Sequence, residues 1–260
     1  LTAVEGIDIL ADTDEKKREV AALTQAAMDG QLDLEDVYAR RLQAINPTHE
    51  QVRQIRRVYK RNTVEDAAAV IAALHEQGHK VYIISGGLAE PVEEFGIYLG
   101  VPRQRIRAVN VRYNQLDGSW WQTNGRQAHY LAYQKGALTV SDGKARIVRD
   151  LLDGQHGRSL LIGDGSSDLL AGTAVDLFVG YGGVVTRQRV QAQAPVFIHS
   201  ASLAPLLALA AGPAALKRLQ DQQLAQKAVQ IIKNGGITFQ DEQLNQKFRK
   251  ACQAVYSRPD

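Results

Sequence analysis

Two short apolar runs, each ending at glycine and each leading into a helical pattern, limit this 260-residue chain more than any other feature. The first is Lys80-Val81-Tyr82-Ile83-Ile84-Ser85, followed by Gly86-Gly87; the second is Leu160-Leu161-Ile162, followed by Gly163-Asp164-Gly165-Ser166-Ser167-Asp168. Runs of this length bounded by glycine fit a strand buried on both faces better than a helix. Helical patterns surround them. Thr63 and Asp66 read as a capping box opening a helix over 64–77, which Gly78 stops, and further helices are predicted over 89–99, 145–152 and 168–174. Another short strand is expected at 177–179. Helices alternating with buried strands predict an α/β protein with a parallel sheet.

The flanking segments differ. Residues 14–62 are polar, with Val20, Leu23, Ala27, Leu34, Val37, Leu42 and Ile45 at helical spacing, and read as a small helical unit. Asp117-Gly118 between apolar residues predicts a hairpin within 109–122, with Trp120 and Trp121 just past the turn as packing or shielding residues. The stretch 124–141 is a long connection, and the tail from Ala215 reads as two helices broken at Asn234-Gly235-Gly236. That tail carries a net charge of +4 from eight basic and four acidic residues, and a solvated helix face accounts for it most simply. The same holds for Arg53, Arg56, Arg57, Lys60 and Arg61, whose only aromatic neighbour in that run is Tyr59.

The whole chain sums to +3, too weak a bias to argue for nucleic acid or an anionic membrane. The single cysteine, Cys252, leaves no internal disulfide and no multi-thiolate metal site. His75, His79, His129 and His156 show no ligand spacing with carboxylates. Residues 1–15 lack the basic and apolar regions of a secretory signal, and 203–211, the most apolar stretch, is too short to span a bilayer, so a cytoplasmic setting is expected.

Three places could carry chemistry. Asp164 and Asp168 stand four residues apart at the end of a predicted parallel strand, where ligands of such sheets bind, and two carboxylates there suit Mg²⁺. Asp168 as a plain cap of the next helix fits the same pattern. Ser85-Gly86-Gly87 offers a hydroxyl and bare amides to an anion, and an ordinary strand-to-helix turn would look alike. Lys144 opens a helix, an unfavourable position for a cation unless an anion binds nearby. A dinucleotide fingerprint is unsupported, because Asp168 occupies the third glycine position and Asp176 comes too early for the ribose carboxylate. A Walker loop fails as well, since Ala145 follows Gly143-Lys144.

The order Ser-Gly-Gly, Lys at a helix start, then Gly-Asp-Gly-x-x-Asp resembles the second, third and fourth motifs of the haloacid dehalogenase-like phosphatases. Glu5-Gly6-Ile7-Asp8, Ala26-Ala27-Met28-Asp29-Gly30 followed by Arg40-Arg41-Leu42, and Gly180-Tyr181-Gly182-Gly183 resemble the phosphoserine phosphatase branch. The resemblance covers about residues 1–208. It implies a Rossmann-like parallel sheet core flanked by helices, formed by 1–12 and 63–208, with a small helical cap at 13–62 and a C-terminal helical extension at 209–260.

By the same resemblance Ser85 and Gly86 hold phosphate, Lys144 neutralises charge, Asp164 binds Mg²⁺ and Asp168 completes its shell through water. Ser167 contacts substrate or phosphate, Glu5 pairs with the ammonium and Arg41 with the carboxylate of phosphoserine, and Met28 lines the pocket. Spacing alone does not separate Arg41 from Arg40. The family's first motif, Asp-x-Asp-Ser/Thr-Thr/Val, supplies the nucleophile and the acid/base, and would end just before Leu1. Met28 is the only methionine and the chain opens on Leu1, so the resemblance predicts a parent protein with a further N-terminal strand. The 260-residue chain itself is expected neither to turn over phosphoserine nor to reach full stability. Two alternatives stay open: a phosphatase or phosphotransferase for another small phosphate ester, and a non-catalytic amino acid or anion binding protein.

Overall fold

The computed structural model describes residues 1–28, 34–114 and 128–256. From the amino end come a single turn, α1 (Gly6–Ile9), and the helices α2 (Asp14–Met28), α3 (Leu34–Ile45), α4 (His49–Arg61) and α5 (Ala67–Glu76). There follow β1 (Ile83–Leu88), α6 (Ala89–Tyr98), β2 (Ile106–Val109), β3 (Val111–Tyr113), β4 (Tyr130–Tyr133) and α7 (Gly143–Leu152). Next are β5 (Leu160–Gly163), α8 (Ser166–Ala171), β6 (Leu177–Tyr181), α9 (Gln188–Gln193) and β7 (Val196–Ile198). The tail adds α10 (Leu206–Ala210), α11 (Gln222–Lys233), β8 (Ile237–Phe239) and α12 (Glu242–Tyr256). This is the predicted α/β alternation, and it divides into two compact units: residues 2–63 with 82–144, and Leu1 with 64–81 and 145–260.

In the first unit the helical segment 14–62 forms as its spacing predicts. Val52, Ile55 and Tyr59 recur every three or four positions on α4, and all three are buried. Tyr59 packs on Phe95 of α6 with ring centroids 5.5 Å apart. Arg53 and Arg56, expected to be solvated, instead reach Glu90 at 3.2 Å and Glu94 at 2.5 Å on α6, because those acids recur one turn apart on the facing helix. β1 and β2 pair in parallel. β3 pairs antiparallel with β4, so its partner lies inside the stretch expected to be a connection at 124–141. The turn Asp117-Gly118 and the pair Trp120, Trp121 lie outside the described residues.

Thr63 does not cap a helix. Its hydroxyl donates back to the carbonyls of Lys60 and Tyr59, finishing α4, and the capping box of this region is Thr48 with Gln51 at the start of α4. Asp66 precedes α5 in a left-handed conformation at φ 64° and gives that helix no side-chain cap. Its carboxylate instead takes Ser202 Oγ and Lys227 Nζ, each at 2.5 Å.

In the second unit β5, β6 and β7 run parallel and β8 closes the sheet antiparallel to β7. Phe178, Val190, Ala194 and Phe197 form a buried cluster, with Leu161 and Leu169 packed against it. The tail therefore contains its two expected helices, α11 and α12, but the break between them opens onto a strand. Ile237-Thr238-Phe239 is too short for its alternation to stand out in sequence.

Candidate active site

The first unit gathers an arginine, two carboxylates and a bulged strand. Glu5 precedes α1 and Asp8 lies in its first turn. Arg41, on α3, is only 8% exposed. Its Nη2 pairs with Asp8 Oδ1 and lies 3.9 Å from Glu5 Oε2. Arg40, its neighbour, is exposed, so burial separates two residues that spacing left equivalent. Met28 ends α2.

Ser85, Gly86 and Gly87 lie within β1 rather than after it. The pairing steps from Ile84 opposite Arg107 to Leu88 opposite Val109, so three residues face one, a bulge of the kind found beside active sites. Ser85 Oγ accepts the Gly87 N–H at 3.0 Å. Tyr59 reaches this place from α4. A Cβ on Gly6 would overlap its hydroxyl, and one on Gly87 would lie 3.6 Å from it, so glycine at 6 is what admits the phenol. Burial first, and the Glu5 carboxylate second, push the Tyr59 hydroxyl up to about 12, while the Gly6 N–H acts the other way. Tyr59 was read from sequence only as an aromatic in a basic run; its contacts arise from tertiary packing that no local pattern carries. Lys144 is half-buried in the first turn of α7.

The second unit carries the carboxylates. β5 ends at Gly163, Asp164 follows, and Gly165 caps α8, which puts Ser167 and Asp168 in its first turn. Asp168 Oδ2 accepts the Gly165 N–H at 3.0 Å, so it does act on the helix start, as the plainer reading expected. A Cβ at Gly163 would overlap the Asp168 side chain, which lies against the strand end. Arg187 immediately precedes α9, pairs with Asp164 Oδ2 and reaches the Asp164 carbonyl at 3.4 Å. Burial, then Glu65 and Asp164, push the Tyr181 hydroxyl up to about 12.

Asp164 and Asp168 together offer hard oxygen donors at one strand end. Among the described residues no cluster of three or more His, Cys, Asp or Glu side chains forms. That donor set fits Mg²⁺, which keeps several waters and takes one or two carboxylates.

Residues 5–172 match the family model described as haloacid dehalogenase-like hydrolase. The chain belongs to that family. Within this hydrolase family it is 30% identical to phosphoserine phosphatase of Mus musculus over 195 residues, 75% of this chain and 82% of the relative. Phosphoserine phosphatase of Homo sapiens is 31% identical over the same shares. Among solved structures, a phospho-aspartyl intermediate analogue of phosphoserine phosphatase matches with a TM-score of 0.63 at 22% identity, covering 79% of this chain and 91% of that one. A phosphoserine phosphohydrolase-like protein from Francisella tularensis matches at 0.61 and 22%, covering 81% and 94%. These structures share the fold, an α/β core with parallel strands.

Proposed function

We propose that this chain is the body of a phosphomonoesterase that converts O-phospho-L-serine to L-serine and inorganic phosphate, the final step of serine synthesis. The observation that carries the reading is Arg41, a buried guanidinium beside Glu5 in the same unit as the Ser85–Gly87 bulge. A zwitterionic phosphoester needs those three partners: a cation for its carboxylate, an anion for its ammonium and donors for its phosphate. The identity to phosphoserine phosphatases over three quarters of the chain supports the same substrate.

In this reading Ser85 and Gly86 hold the phosphate, Lys144 neutralises its oxygens, and Ser167 touches phosphate or substrate. Glu5 and Arg41 orient the amino acid end, and Met28 lines the pocket. Mg²⁺, held by Asp164 and through water by Asp168, would supply electrostatic stabilisation to the phosphoryl group. The nucleophile is an aspartate of an Asp-x-Asp-Ser/Thr-Thr/Val motif, a sequence that residues 1–260 do not contain. Its carboxylate attacks phosphorus and the ester P–O bond breaks. The second aspartate protonates the departing serine oxygen, then takes a proton from the water that hydrolyses the aspartyl-phosphate. Residues 1–12 and 63–208 are assigned to the core, 13–62 to the cap and 209–260 to an extension. No helix among the described residues is long and apolar enough to cross a membrane. A cytoplasmic setting is part of the reading and rests on the small polar substrate and the lone thiol.

Phosphate release from O-phospho-L-serine tests this, measured on the chain and on the chain preceded by the strand and motif, with and without Mg²⁺. The extended protein is expected to release phosphate only with Mg²⁺, and the 260-residue chain to release none. Comparable release by the shorter chain overturns the nucleophile assignment. Binding without release by the extended protein would make it a non-catalytic binder, and preference for another ester would replace the substrate.

A further inference from the structure

Tyr38 lies on α3 three residues before Arg41, so the two side chains stand one turn apart on one face. It is 4% exposed, and its ring packs on Tyr133 of β4 with centroids 5.0 Å apart and planes tilted by 57°. Among the described residues its hydroxyl has no hydrogen-bond partner, and neither has Arg41 Nε. Two buried donors left open one helical turn apart are unusual, because each has given up water without replacement. On the same guanidinium Nη2 already lies against Asp8 and Glu5. Nε is thus a buried donor of Arg41 still open to a further acceptor. Nothing in the sequence marked Tyr38, which there reads as one more residue of a helical segment.

We propose that Tyr38 is a specificity-determining residue whose hydroxyl donates a hydrogen bond to the substrate carboxylate beside Arg41 Nε. The proposal rests on the phosphoserine reading and deepens it. An acceptor arriving between these two groups would satisfy both donors at once, and a carboxylate has the two oxygens to do so. Burial pushes the Tyr38 hydroxyl well above the ordinary tyrosine value, against an opposing effect of Arg41 and with Tyr130, Tyr59 and Tyr133 adding to it. The phenol thus keeps its proton wherever a carboxylate is ionised, and serves as a donor.

The test is calorimetric binding of O-phospho-L-serine and of O-phosphoethanolamine, which has the phosphate and ammonium but no carboxylate. Both are titrated, without Mg²⁺, into the protein preceded by the strand and motif and into its Tyr38→Phe variant. Loss of a hydrogen bond to a charged group should weaken phosphoserine about 10-fold or more and leave phosphoethanolamine unchanged. The ligand-free variant should melt no lower than wild type, since it loses a hydroxyl that was bonded to nothing; a lower melting temperature gives that hydroxyl a structural role and overturns the proposal. So does an equal change for both ligands, or none for either. If the wild-type chain binds neither, or shows no preference for phosphoserine, the substrate reading fails and this proposal with it. A wild-type preference that Tyr38→Phe keeps in full removes only the role of Tyr38.

Discussion

The two units hold their candidate groups in opposite ways. In residues 2–63 with 82–144, Glu5, Asp8, Arg41, Tyr59 and Ser85 come from four separate stretches of chain and meet through packing. In the other unit Asp164, Ser167 and Asp168 come from one strand-turn-helix run, with Arg187 paired to Asp164. A likeness underlies the contrast. In both, the guanidinium is the more buried partner: the Arg41 side chain is 10% exposed against 52% for Glu5 and 47% for Asp8, and Arg187 22% against 43% for Asp164. A guanidinium is weakly hydrated for a cation and tolerates burial, and each of these two pairs leaves its anion toward solvent. What differs is the remainder. Arg41 keeps an open donor among the described residues, suited to recognising an anion, whereas Arg187 spends two contacts on one aspartate and steadies the turn after β5.

If the units divide the labour in this way, single changes should separate them. The largest effect is expected from Asp164→Asn in the motif-bearing protein, a fall in kcat of about 10²–10³ with little change in KM for phosphoserine, read by phosphate release. Arg41→Lys should do the reverse, raising KM for phosphoserine at least about 10-fold while hydrolysis of O-phosphoethanolamine is unaffected, because one ammonium cannot reproduce the guanidinium fork. If either variant moved both parameters for both esters alike, the contrast would be lost.

Gly6→Ala forces a methyl against the Tyr59 hydroxyl and should cost about 1–3 kcal/mol in urea unfolding. Gly86→Ala, whose added Cβ meets nothing nearer than the Leu138 carbonyl at 3.6 Å, should stay within about 0.5 kcal/mol. Equal costs would mean that Tyr59 gives way without consequence.

The smallest effect belongs to the second unit. Asp176 accepts the N–H and Oγ–H of Ser159, each at 2.7 Å, and these bonds hold its carboxyl below the ordinary 3.8. A carboxylate with a depressed folded-state pKa stabilises above the unfolded value and loses that contribution as pH falls through the folded one. Wild type should thus melt slightly above Asp176→Asn at neutral pH, and the gap should close below about pH 4. A gap constant down to pH 2 would show that the bonds do not depend on ionisation.

The same contrast explains what could be read in the sequence. The run 160–168 was legible because strand, turn and helix start are contiguous there, and turn chemistry is a local property. The helices of 14–62 were legible from period alone. Arg41 was indistinguishable from Arg40 until α3 acquired a buried face, and Tyr59 and Tyr38 acquire meaning only from partners far along the chain. Thr63 misled because a Thr-x-x-Asp pattern serves equally well when the hydroxyl turns back to finish the preceding helix. β1 was displaced toward its own glycines, since a bulge lets Ser85, Gly86 and Gly87 continue a strand that their composition would end.

The tail makes one practical demand on anyone handling this protein. Val196, Phe197 and Ile198 are buried and β8 pairs with them along the sheet margin. Removing the residues beyond 234 as a dispensable basic appendage would uncover a hydrophobic strand with open amides and carbonyls, a template on which further chains can add. A shortened version should then be recovered as aggregate while its candidate site residues are all still in place.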